Sequence, residues 1–336
     1  MTEPLLRVED LRVEFRLSSG RVVAVDGASF EVGRGEALGL VGESGSGKTM
    51  ALRALVGLLP RTARVTAGSI EYEGVDLLRA SEDARRRLRG RSIAMIFQEP
   101  MTALNPVMRV GQQIAEVPRV VLGVGRRRAD ERALELMRLV GIPDPVRRAQ
   151  AYPHELSGGM RQRVMIAIAL AADPQLVLCD EPTTALDVTI QDQILQLLRA
   201  LREEFGLSVV FVSHDLAVIA QTCRRIAVMY AGQVVETGSV EEVFREPRHP
   251  YTLGLLRSVP DFELVRERLS AIPGTPPDPA APPSGCRFHP RCAFSRHDCT
   301  GGLFPLQPLG GGRATACIHH EDCAEDARRE PVLARA

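Results

Sequence analysis

The stretch Gly42-Glu43-Ser44-Gly45-Ser46-Gly47-Lys48-Thr49 decides the fold. It fits G-x-x-x-x-G-K-[ST] and lies between an apolar run of strand length, Ala37 to Val41, and a helical run, Met50 to Leu59. Glycines at 42, 45 and 47 free the backbone to turn so that successive N–H groups converge, and the following helix adds the positive end of its dipole. A loop of this kind cradles phosphates. Lys48 is expected at the β- and γ-phosphates of the bound nucleotide and the Thr49 hydroxyl on Mg²⁺. Lys48 is also the only lysine in the chain, the other 41 of its 42 basic residues being arginine. A guanidinium cannot replace a compact ammonium in a tight pocket, which explains the solitary residue.

Further along, Leu176-Val177-Leu178-Cys179-Asp180-Glu181 is an apolar strand ending in two acids. Downstream of a phosphate loop, Asp180 is expected to hold the Mg²⁺ shell. Glu181 is expected to polarise the attacking water, a task that needs a carboxylate within hydrogen-bond reach.

Around these motifs, strand-length runs at Ala37 to Val41, Ile93 to Phe97, Leu176 to Cys179 and Ser208 to Val212 alternate with helical patterns. This predicts an α/β domain with a mostly parallel central sheet. Leu5 to Phe15 and Val22 to Val32 read as two antiparallel strands around the turn Ser18-Ser19-Gly20, adding a small β layer. From about 100 to 172 no strand is expected, and helices are placed near Gln112 to Leu122, Ala129 to Val140 and Gly159 to Leu170. Residues 1–260 are thus expected to form one nucleotide-binding domain with a helical subdomain. Residues 261–336 form an extension: Ile272 to Pro283 carries six prolines in twelve residues and reads as a linker, and the polar end, Glu321 to Ala336, reads as poorly ordered.

Composition narrows the function classes. Lys plus Arg equals Asp plus Glu, 42 against 42, which gives no reason to expect a nucleic-acid partner. No run reaches the roughly 18 apolar residues of a membrane span, and the first ten residues lack a signal pattern, so the chain is expected to stay in the cytosol with its cysteines reduced.

Leu156-Ser157-Gly158-Gly159-Met160-Arg161-Gln162-Arg163, just ahead of the Asp180 strand, resembles the signature of the ABC ATPase family. Ser157, Gly158 and Gly159 open a helix and so form a second anion site. The resemblance implies that this site covers the nucleotide of a partner subunit. It also gives roles to Gln98 (Mg²⁺ sensing and coupling to membrane subunits), Asp187 (the D-loop), His214 (the switch histidine at the γ-phosphate) and Phe15 (stacking on adenine). The run Met95 to Pro106, Arg248-His249-Pro250-Tyr251-Thr252 and Ile272 to Pro277 resemble the oligopeptide and dipeptide importers, a pattern that nickel importers share. The resemblance further implies ATP hydrolysis at the cytoplasmic face of the membrane. Its implied partners are two permease subunits, a second ATPase that is expected to be a related chain in a heterodimer, and an extracytoplasmic binding protein. An ABC ATPase acting on nucleic acid is the rival, disfavoured by the single phosphate loop and the lack of heptads.

Cys286, Cys292, Cys299 and Cys317 are separated by five, six and seventeen residues, in a segment too small for a core of its own. Structural zinc favours closer pairs. Four thiolates at varied spacing suit an iron–sulfur cluster, and the tail resembles those of importer ATPases that carry [4Fe-4S]. Zinc or plain thiols are the alternatives. Cys323 reads as the spare, His289 and His297 as substitute ligands, and Cys179 and Cys223 as core residues.

Overall fold

The computed structural model describes residues 3–18, 20–184, 186–258 and 271–330. Ser19 of the expected turn, Ala185 beside Asp187, Pro260 at the head of the linker and the last six residues of the polar end lie outside them. The described residues divide into two compact units, one comprising Val32–Glu36 and Arg79–Val212, the other Glu3–Glu31, Ala37–Leu78 and those from Ser213 onward.

In the first unit the strand Leu176–Asp180, buried at all five positions, runs parallel to Ile93–Ile96 on one side and to Ser208–Ser213 on the other. A strand covered on both faces reads as an unbroken apolar run, which is why the sequence pattern locates it. No strand interrupts residues 100–172; the long helices there are Val110–Val121, Arg126–Leu139 and Gly158–Leu170. Arg126–Leu139 starts three residues ahead of its expected position because its first turn, Arg126 to Arg128, is exposed arginine with no apolar periodicity. The helix Val188–Phe205 ends on Gly206, whose left-handed φ of 62° lets its N–H return to the Arg202 carbonyl.

The second unit holds a four-stranded sheet in the order Gly20–Val32, Leu6–Leu17, Ala63–Tyr72, Val75–Asp76. Leu6–Leu17 lies antiparallel to Ala63–Tyr72, from Leu6 opposite Tyr72 to Phe15 opposite Ala63. Sequence pattern misses Ala63–Tyr72, since most of that strand is partly or fully exposed and shows no apolar run.

Antiparallel strands that sequence reading does not place extend the parallel part of the second unit's sheet. Ala37–Val41 pairs parallel with Arg225–Tyr230, but Gln233–Ser239, Arg313–Thr315 and Gln307–Gly310 follow antiparallel. The cause is local: Ala231 and Gly232, at φ 46° and 86°, form a two-residue turn whose twist folds Gln233–Ser239 straight back. The tail also departs from expectation. His320–Arg329 is a helix, with Cys323, Ala324 and Ala327 buried and Arg257 bonded to Asp326 at 2.7 Å. Three small residues among charges give too weak a stripe to predict from sequence.

Candidate functional site

The phosphate loop is held by contacts that only glycine permits. Gly42, at φ 152°, would place a Cβ 2.1 Å from the Met229 carbonyl oxygen, and Gly47, at φ 101°, 2.4 Å from that of Ala24. Gly45, at φ 79°, faces open space, so its demand is conformational alone. Gly47 caps the helix Lys48–Leu55, which places Lys48 and Thr49 in its first turn. Lys48 is 4% exposed, and its Nζ bonds the carbonyls of Gly42 (2.7 Å) and Glu43 (3.0 Å) and the Ser46 hydroxyl (3.3 Å), so the loop curls around the ammonium. The Ala231-Gly232 turn braces it from outside: Gly232 N–H donates to the Ser46 carbonyl at 2.9 Å. Phe15, half-buried on its strand, shares a cavity with Glu43, Ser44, Gly45 and Ser46.

Two braces come from far along the chain. The Tyr251 hydroxyl accepts from the Glu43 N–H at 2.7 Å, and Arg291 donates to both Glu43 carboxylate oxygens while its Nε bonds the Pro273 carbonyl. Tyr230, Tyr251 and Phe288 pack their rings 4.5 to 5.4 Å apart beneath this contact. Burial pushes the Tyr251 hydroxyl well above its ordinary range, so it stays protonated. Sequence reading gave Tyr251 no site role and missed Arg291. The available signal was a motif, Arg248 to Thr252, left without a chemical task.

In the other unit, Asp180 ends its strand 1% exposed. Glu181 follows at φ 46°, a left-handed conformation that a glutamate adopts at a cost of about 1–3 kcal/mol, and strain of this kind gathers at reactive sites. Its N–H bonds the Val212 carbonyl, and its carboxylate accepts from Thr184 Oγ1 at 2.9 Å and Gln98 Nε2 at 3.3 Å. The structure thus brings Gln98 and Glu181 together, although 83 residues separate them.

Ser157 caps the helix Gly158–Leu170 and, with Gly158, is exposed. At Gly159 a Cβ would come 2.7 Å from Ile190 Cγ2, so this glycine serves packing. Asp187 caps Val188–Phe205 by accepting from the Ile190 N–H at 3.0 Å. His214, in the second unit, is exposed between the strand ending at Ser213 and the helix Leu216–Thr222 that Asp215 caps.

Cys286, Cys292, Cys299 and Cys317 line one small cavity together with His249, His289 and His319. Gly285, at φ 70°, lets the chain come close to Cys299, whose carbonyl accepts from the Cys286 N–H at 2.9 Å. Burial, reinforced by the neighbouring thiols, pushes Cys292 up to about 11 and Cys317 up to about 12. Asp298, Cys299 and His319 also bring their ligand atoms within 4.8 Å of one another. His297 does not line the cavity; His319, two residues past Cys317, was the neglected candidate. Cys323 is buried in its helix, and Cys179 and Cys223 are buried in the core.

Residues 25–184 match the family model described as ABC transporter, and residues 235–299 match the oligopeptide/dipeptide transporter C-terminal region. The chain is 49% identical over 325 residues to proteins of Brucella abortus (strain 2308) and Brucella suis biovar 1 (strain 1330), each described as a peptide import ATP-binding protein. The matches cover 96% of this chain and 98% of each relative. Among solved structures, the dimeric ATP-binding cassette MJ0796 with ADP and Pi superposes with a TM-score of 0.63 at 27% identity, over 70% of this chain and 98% of that one. The cbiO1 protein of Clostridium perfringens, part of the ABC transporter complex cbiONQ, gives 0.62 at 27% identity over 72% and 91%. With identity near one half along almost the whole length, the chain belongs to the ABC transporter family as an ATP-hydrolysing subunit.

Proposed function

We propose that this chain powers import of oligopeptides or dipeptides from the cytoplasmic face of the membrane, working with two permease subunits, a second ATPase and an extracytoplasmic binding protein. The observation that carries the reading is the phosphate loop, closed by glycine-only contacts and wrapped around the one lysine. The oligopeptide/dipeptide C-terminal match and the descriptions of the relatives support the substrate class. Among the described residues no helix is long and apolar enough to cross a membrane, and the proposal gives the solute path to the permease chains.

In the proposed reaction Lys48 offsets charge on the β- and γ-phosphates, and Thr49, Asp180 and Gln98 would hold Mg²⁺. Glu181 takes a proton from the water that attacks the γ-phosphorus. The bond to the β,γ-bridging oxygen breaks, giving ADP and phosphate, while His214 contacts the departing phosphoryl group. Phe15 stacks on the base. The helix start at Ser157, Gly158 and Gly159, with Asp187, covers the nucleotide of the second ATPase, so dimer closure couples to hydrolysis.

The donor set also fits a [4Fe-4S] cluster, since four cysteines spread over residues 286–317 line one cavity. Cys286, Cys292, Cys299 and Cys317 would hold it, and it would supply a one-electron redox centre or a covalent staple for the extension. The test of the function is transport: peptide uptake into vesicles carrying the full assembly should stop with Lys48→Ala in this chain. Unchanged uptake would end the proposal.

A further inference from the structure

From Glu43–Ser46 the cavity continues past Phe15 and Ala231 to the proline-rich segment, where Pro276, Pro277, Pro279 and Pro282 line it beside Asp278 and Arg287. Sequence alone assigns that segment no task beyond spacing. We propose that this proline strap is the second wall of the nucleoside subsite, so that the base and ribose of the bound nucleoside triphosphate lie between Phe15 and the prolines. The inference rests on the reading that the phosphate loop holds a nucleotide, and it adds what recognises the rest of that molecule.

Three observations carry it. The cavity is continuous with the loop that takes the phosphates, so whatever is joined to those phosphates enters it. Its lining is apolar where a solvated strap is ordinarily polar: Pro276, Pro279 and Pro282 are exposed residues that border the same space as Phe15. Proline C–H groups and an aromatic ring both pack well on the face of a planar base. Finally, the strap is built rigidly. Its prolines fix φ, Arg291 Nε holds the Pro273 carbonyl at 2.8 Å, and Asp278 closes a turn by accepting from the Ala280 N–H (2.8 Å) and Ala281 N–H (3.0 Å). A wall that is ordered in advance loses little entropy on binding. Arg287 is anchored by Asp26 and the Ala231 carbonyl, which fixes the edge of the cavity. Asp278 brings a carboxylate, the group that takes ribose hydroxyls in other nucleotide folds. An apolar slot of this kind favours a purine over a pyrimidine, because the larger ring buries more surface.

The test uses the purified full chain. Photolabelling with 8-azido-ATP should attach to the peptide carrying residues 276–282 and be blocked by excess ATP. The combined Pro276→Gly, Pro277→Gly, Pro279→Gly variant should bind ATP about tenfold more weakly yet bind inorganic tripolyphosphate within about twofold of the parent. Labelling confined to other peptides, or a variant that binds ATP like the parent, overturns the proposal while leaving the phosphate site intact. A parent that binds neither ATP nor tripolyphosphate overturns the nucleotide reading and this inference with it.

Discussion

Arg291 donates to both carboxylate oxygens of Glu43, at 2.8 and 3.0 Å, across 248 residues of sequence. Its side chain is 5% exposed and that of Glu43 27%, so the pair is shielded from water more than a surface bridge is. Arg291→Ala should cost about 1–3 kcal/mol and raise the KM for ATP several-fold, with Arg291→Lys recovering part of the loss. Thermal melts and nucleotide titration read this directly. An unchanged Tm together with an unchanged KM would show that the pair does not brace the loop.

Glu181→Gln keeps the size and removes the base. Phosphate release should fall by about 100-fold or more while ATP still binds. Hydrolysis at the parental rate would assign the base elsewhere.

The three loop glycines should differ in a set order. Gly42→Ala and Gly47→Ala push a methyl into backbone oxygens and should abolish tight nucleotide binding, whereas Gly45→Ala meets only left-handed strain of about 1 kcal/mol. Equal effects at all three positions would contradict the contact geometry.

Protein purified without oxygen should be brown. Serine at Cys286, Cys292, Cys299 or Cys317 should bleach it and lower its iron content, but Cys323→Ala should not. A colourless, iron-free and folded parent ends the cluster proposal.

Gly159→Ala should destabilise by about 1–3 kcal/mol through its collision with Ile190 Cγ2, and in an Ile190→Ala background, which lacks that atom, the same change should cost less. Chemical denaturation of the parent, the two single variants and the double variant tests the coupling. A Gly159→Ala protein as stable as the parent would refute the collision.

Where neighbours in sequence fix a residue's surroundings, its placement was legible: Lys48 follows its glycines into a helix, Asp180 ends its apolar strand, and Ser157 caps its helix. Apolar runs likewise located Ala37–Val41, Ile93–Ile96, Leu176–Asp180 and Ser208–Ser213, while the equally buried strand Arg225–Tyr230 went unnamed. Contacts formed over long sequence separations left no local trace, as with Arg291 on Glu43 or Gln98 on Glu181. Arginine is so common in this chain that no single one stands out. Ala63–Tyr72 was missed because its exposure masks alternation, and His320–Arg329 because its buried stripe consists of two alanines and a cysteine.

The span from Glu43 to Arg291 also has a meaning in time. At about 5–20 residues per second, a ribosome finishes the arginine roughly 12–50 seconds after the glutamate has been made. Until then the nascent loop lacks its guanidinium partner. A truncated product of translation that ends before Arg291 is therefore expected to hold ATP more weakly than the finished chain, by the factor that Arg291→Ala reads.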